Sequence, residues 1–153
     1  MSGSSGPGPA TIAALQAALA AEHAAVYGYG VAGAYLTGAS RATATADWVA
    51  HQVTRDTLEA MLRSRGAQPV AAAAGYQLPV AVRTPAEAAQ LAVILEDRVA
   101  AAYLGLVAVT AAAIRRFGAE QLQASALRAA AWRGSTVAFP GLPANSLAGP
   151  RHV

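Results

Sequence analysis

Apolar positions recur along this chain at alternating spacings of three and four, the pattern of a helix with one buried face. Four segments follow the pattern, and they predict helices over residues 10–36, 43–65, 85–117 and 119–133. The third predicted helix has a recognisable start: Thr84 caps it, Pro85 takes the first position and Glu87 reaches back to the cap. The predicted stops are glycines, at Gly66, Gly118 and Gly134.

The connections between these helices predict the fold. The first and last connections are short, whereas residues 66–83 form a long crossover between the second and third helices. Because this is the topology of ferritin-like proteins, we expect an all-α, ferritin-like four-helix bundle. An extended C-terminal tail follows, since Pro140 and Pro143 exclude a helix there. We expect Phe139 and Leu142 to dock this tail on the bundle.

The length of 153 residues suits a single domain. We expect residues 1–9 to be a flexible tail or cloning remnant, residues 10–143 to form the bundle and residues 144–153 to be a C-terminal tail. Alanine accounts for 43 residues. This bias favours closely packed helices, because alanine is the best helix former and has a small side chain.

Composition also narrows the classes of function. The net charge is +3, but the arginines are scattered, so we expect no nucleic-acid binding. The absence of cysteine removes disulfides and thiolate metal ligands. No signal peptide is recognisable, and no apolar stretch in a predicted helix reaches the ~20 residues of a membrane span. We therefore expect no membrane association and a cytoplasmic location.

Charged residues interrupt three of the four apolar faces. Glu22 lies in the middle of the first, His51 and Arg55 lie in the second, and Glu96 lies near the middle of the third. A charge in a protein core is costly unless it is paired. We therefore expect Glu22, His51, Arg55 and Glu96 to form one buried network, with Arg55 on one carboxylate and His51 on the other.

The same residues raise the alternative of a metal site. A carboxylate-bridged di-metal site takes one Glu from each of two helices and a Glu-x-x-His motif from each of the other two. Glu22, His51 and Glu96 fill three of these places, but Trp48 stands where an acid is needed before His51, and Arg55 would oppose a cation. We expect no cofactor, and a divalent iron or manganese ion on Glu22, His51 and Glu96 is the alternative.

Gly28, Gly30 and Gly33 spell the G-x-G-x-x-G motif of dinucleotide-binding proteins. That motif requires a preceding strand, whereas the residues before Gly28 have a helical period. We therefore interpret the glycines structurally, as sites of close helix approach or of a local bulge.

Several short stretches resemble a known family: residues 21–30, His51 with Arg55 and Asp56, and residues 75–79, 95–98 and 139–143. Together they are similar to the actinobacterial ferritin-like domain of unknown function DUF4439. The resemblance covers roughly residues 10–143. It implies a ferritin-like bundle and leaves the activity open.

These observations favour a non-enzymatic bundle that binds an unknown protein or small-molecule partner. We expect a homodimer, because the third predicted helix is apolar around nearly its whole circumference. The rival hypothesis is a metal-dependent oxidoreductase or iron-handling protein that uses Glu22, His51 and Glu96.

Overall fold

Four helices form the described part of the chain, residues 8–142 of a computed structural model. They are α1 (Pro9–Tyr35), α2 (Gly38–Arg63), α3 (Pro85–Val107) and α4 (Ala112–Arg133). The predicted all-α four-helix bundle with a long crossover between α2 and α3 is confirmed. The predictions for most of the N-terminal tail and for the C-terminal tail fall on residues 1–7 and 143–153, which lie outside the described residues.

Local signals set several helix ends where the sequence predicts them. The Thr84 side chain accepts a hydrogen bond from the Glu87 backbone N–H at 3.2 Å, and Pro85 is the first residue of α3. The chain leaves α2 and α4 through Gly66 and Gly134, with φ angles of +71° and +77°. Only glycine adopts such left-handed angles without steric cost. The start of α2 is earlier than predicted, at Gly38.

The boundary between α3 and α4 differs from the prediction. The third helix ends at Val107 rather than at Phe117, and α4 begins at Ala112 after a break over residues 108–111. Thr110 and Phe117 therefore do not belong to α3. The break contains neither glycine nor proline, so nothing in the apolar pattern marks it.

Gly118, predicted as a helix stop, lies inside α4 and has a packing role instead. A Cβ atom at Gly118 would lie 2.6 Å from Leu106 Cβ, so the glycine lets α4 approach α3 closely. Gly28 has a similar role, because its Cβ would lie 2.5 Å from Leu95 Cδ1 across the α1–α3 contact. For Gly28 the predicted close approach of helices is confirmed.

Two groups of buried apolar residues fill the interior. The larger side chains of the first group are Leu15, Leu19, Leu58, Leu62, Val99, Tyr103, Leu106 and Ile114. Those of the second group are Tyr29, Leu36, Leu91 and Leu95. Alanines complete both groups, which allows the helices to pack closely around the centre.

The crossover is fastened to α1 by side chains of that helix. Gln16 donates to the carbonyl of Gln68 at 2.6 Å and accepts from the N–H of Val70 at 2.8 Å. His23 Nε2 lies 3.0 Å from the carbonyl of Val70, so this nitrogen donates. His23 therefore helps to anchor the crossover on α1.

The tail contacts α3 at Gly141. A Cβ at Gly141 would lie 3.0 Å from the carbonyl oxygen of Ala100 in α3, whereas Phe139 and Leu142 remain 54% and 45% exposed. Docking by those two side chains is thus less complete than predicted. Within residues 8–142, none of the exposed large apolar side chains lies on α3, and no helix is long and apolar enough to cross a membrane.

Candidate functional site

A histidine bridges two glutamates in the centre of the bundle. His51 Nδ1 lies 2.6 Å from Glu22 Oε2, and His51 Nε2 lies 2.9 Å from Glu96 Oε1. The three side chains come from α2, α1 and α3, and each is at most 1% exposed. The structure thus brings together three of the four residues that the sequence predicts for the cluster.

Two buried tyrosines donate further hydrogen bonds to the carboxylates. Tyr103 donates its hydroxyl proton to Glu22 Oε1 at 2.6 Å, and Tyr29 donates to Glu96 Oε1 at 2.7 Å. The Tyr29 ring also stacks on the imidazole of His51, with ring centroids 5.3 Å apart. The hydroxyls of both tyrosines are therefore held by the carboxylates of the cluster.

The cation of the cluster is Arg128, and the prediction of Arg55 is wrong. Arg55 is 27% exposed and pairs with its neighbour Asp56 at 2.8 Å. Arg128 reaches inward from α4 and donates from Nε to Glu96 Oε1 at 2.9 Å. The fourth helix, for which the sequence predicts no charged contribution, therefore supplies the guanidinium.

A further carboxylate extends the network towards α4. Asp47 lies one turn before His51 on α2 and is only 9% exposed. It accepts from the indole N–H of Trp132 at 2.8 Å and lies 3.3 Å from the hydroxyl of Tyr29. Its spacing of four residues from His51 puts both side chains on one helix face.

The geometry defines the charge state of His51. A neutral imidazole has one N–H and one bare nitrogen, and the bare nitrogen would face a carboxylate oxygen. Burial disfavours the charged ring, but the hydrogen bonds and charges of Glu22 and Glu96 outweigh it and raise the pKa of His51 to about 9. His51 is therefore an imidazolium at neutral pH, with both nitrogens donating.

The same contacts keep Glu96 ionised. Burial alone would raise the pKa of its carboxyl, but hydrogen bonding and charge from His51, together with Arg128, lower it overall. Two carboxylates, one imidazolium and one guanidinium give Glu22, Glu96, His51 and Arg128 a net charge of zero.

The outer groups of the network hold their protons more tightly than usual. Burial, followed by the nearby charges of Glu96 and Glu22, raises the pKa values of Tyr29 and Tyr103 far above the ordinary range. Both tyrosines therefore act only as hydrogen-bond donors to the carboxylates. Burial also raises the pKa of Asp47, although the Trp132 hydrogen bond opposes that shift.

One polar atom in the cluster has no partner. Glu96 Oε1 receives hydrogen bonds from Tyr29, His51 and Arg128, whereas Glu96 Oε2 is buried without any. Within residues 8–142, no group of three or more histidine, cysteine, aspartate or glutamate side chains is arranged to hold a metal ion. This includes the cluster of Glu22, His51 and Glu96.

Comparison with known proteins adds a family and a structure. Residues 14–144 match the family described as a domain of unknown function, DUF4439. The chain is also similar to a conserved hypothetical protein from Mycobacterium tuberculosis whose crystal structure is known, with 39% sequence identity and a TM-score of 0.81. That match covers 83% of this chain and 97% of the other. No curated protein matches the chain.

Proposed function

The chain belongs to the DUF4439 family, and we propose that it is a non-enzymatic helical bundle that acts by binding a partner or small ligand. In this proposal, an ion-pair cluster of Glu22, His51, Glu96 and Arg128 takes the place of a metal centre. The cluster joins the four helices through side-chain hydrogen bonds and does not react.

The bridging geometry of His51 carries the proposal. A metal ligand needs a nitrogen lone pair aimed at the ion, and both ring nitrogens of His51 instead face carboxylate oxygens at 2.6 and 2.9 Å. The oxygen of Glu96 that faces His51 already accepts three hydrogen bonds. These residues do not fit a metal ion as they are arranged.

Charge supports the same conclusion. The two glutamates are balanced by the imidazolium and by Arg128, so a divalent ion would add uncompensated positive charge in a low-dielectric interior. Access is limited as well, because Glu22, His51 and Glu96 are essentially fully buried. These three side chains present almost no surface to a substrate, which favours a role for the surface of the bundle.

One observation favours the alternative, a divalent-metal oxidoreductase or iron-handling protein. Glu96 Oε2 has a free lone pair inside the core, and an iron or manganese ion held by Glu22, His51 and Glu96 would use it. Such an ion would have to displace a proton from His51 and break the hydrogen bond of His51 to either Glu22 or Glu96.

Metal analysis distinguishes the two proposals. Protein produced with added iron and manganese and purified without chelator should contain far less than one ion per chain. A content of about one or two ions per chain, lost in a His51→Gln variant that still folds, would support the alternative. The Gln variant is the control because it removes the nitrogen ligand with little change of volume.

The homodimer and the cytoplasmic location remain predictions. The dimer prediction starts from the apolar circumference of α3, and the exposed large apolar residues of the described chain lie on other elements. Sedimentation velocity over a range of concentrations tests it directly, and a single monomeric species throughout would contradict it.

A further inference from the structure

A hollow of about 370 Å³ lies between α1 and α2, beside the central cluster. Its lining consists of small residues, two aromatic residues and one arginine: Tyr29, Gly30, Gly33, Ala34, Arg41, Ala44, Thr45 and Trp48. This volume is within the range of ~300–1,000 Å³ typical of small-molecule sites.

Two glycines keep the hollow open without serving the internal packing. Gly30 and Gly33 lie in the last two turns of α1 with ordinary φ angles, and a Cβ atom at either would meet nothing within 4 Å. Glycine destabilises a helix interior relative to alanine. Gly28, close by in the same helix, has an internal reason because Leu95 crowds it. The glycines at 30 and 33 have none, and their effect is to leave space beside α1.

The arginine at the rim is held in place and lacks a counterion. Arg41 donates from Nε to the backbone carbonyl of Gly33 at 3.1 Å, which fixes the guanidinium at the edge of the hollow. Among the described residues, no carboxylate lies within salt-bridge distance of Arg41. Its terminal nitrogens are thus positioned to donate to an anion from outside the chain.

Of the two aromatic residues, Trp48 offers ring surface to a ligand, because it is half-buried whereas Tyr29 is fully buried. The indole N–H of Trp48 donates to the carbonyl of Val26 at 3.0 Å. The exposed part of Trp48 is therefore apolar and suited to stacking. A guest in this hollow combines an apolar, flat body with a negative charge at one end.

From these contacts the geometry points to a binding site for a small aromatic carboxylate, with its ring against Trp48 and over Gly30 and Gly33, and its carboxylate on Arg41. The inference rests on the proposed binding role and names its ligand class. Because Tyr29 also donates to Glu96 and stacks on His51, an occupant would touch the residue that links the hollow to the buried cluster.

The test uses 2-naphthoate as the probe and its neutral analogue 2-naphthamide, with the tryptophan fluorescence of the full chain as the signal. We expect saturable naphthoate binding at millimolar or lower concentration. The Gly30→Ala/Gly33→Ala double variant should bind about tenfold more weakly or worse, although its melting temperature should rise. Arg41→Gln should weaken naphthoate but not naphthamide.

Gly105→Ala is the matched control. Gly105 likewise lies in the last turn of a helix, and its Cβ would make only an ordinary contact at 3.9 Å with Ala14. It should raise the melting temperature and leave naphthoate binding unchanged. Equal binding by the wild type and the double variant, or no saturable binding by the wild type, would overturn the inference.

A second copy of the chain is the rival occupant of the hollow. If sedimentation shows that the chain associates with itself, and the double variant alone loses that association, the small-ligand site is overturned. The metal content of the protein is measured independently. Failure of naphthoate binding therefore leaves the ion-pair core intact, and stoichiometric metal would overturn the proposed core without affecting the hollow.

Discussion

Replacing Arg128 by methionine should destabilise the protein strongly, because it leaves a charged carboxylate in the core. The substitution keeps most of the side-chain volume and removes the donor to Glu96 Oε1. Breaking one partner out of a buried ion pair costs ~3–5 kcal/mol. Arg128 is 19% exposed, and Glu96 retains His51 and Tyr29 as donors, so we expect about 3 kcal/mol, the lower end of that range. For a domain of this size, the melting temperature should fall by roughly 10 °C.

The matched control is Arg55→Met, the same substitution at the arginine that the sequence assigns to the cluster. Its partner Asp56 is 65% exposed, and surface ion pairs contribute about 0–1 kcal/mol. Urea denaturation followed by circular dichroism gives the free energy of unfolding of both variants. Equal losses in the two variants, or a larger loss for Arg55→Met, would refute the assignment of Arg128 as the buried cation.

Three other substitutions or conditions test separate parts of the structure. Folding raises the pKa of His51 from 6.5 to about 9. The contribution of protonated His51 to the free energy of unfolding is therefore complete below pH 6.5 and is lost as the pH rises through 9. Urea titrations across this range should show a loss of about 3 kcal/mol that is absent in His51→Gln. Tyr103→Phe leaves a buried carboxylate oxygen without its donor and should cost about 1–3 kcal/mol, whereas Tyr27→Phe, at a half-exposed ring, should cost little in the same denaturation assay. Gly118→Ala forces a Cβ against the α3 backbone and should cost about 1–3 kcal/mol, and a melting temperature as high as that of Gly105→Ala would contradict the close contact.

The sequence predicts the bundle well because its signals are local. The cap at Thr84 and the glycines at 66 and 134 act within one turn of chain, and the structure has helix ends beside all of them. The sequence also predicts Glu22, His51 and Glu96 as members of the cluster, because their Cβ atoms lie on the apolar faces of their helices.

The errors concern long side chains and an unmarked break. Arg55 and Arg128 both lie at the edge of a buried face, and a flexible arginine can turn either to solvent or inward. Their directions depend on which carboxylate lies across the bundle, which no single helix reveals. Asp47 could be predicted from the sequence, because its spacing of four residues from His51 places both on one helix face. The break at residues 108–111 has no signal at all, since alanine, valine and threonine continue the apolar pattern.

The central claim is that His51 is a doubly donating imidazolium between two carboxylates. Nitrogen NMR of protein with isotope-labelled histidine, assigned with the His51→Gln variant, measures this directly. We expect both ring nitrogens to carry protons at neutral pH and to titrate together with a midpoint near 9. A bare or metal-bound ring nitrogen at neutral pH would contradict the claim.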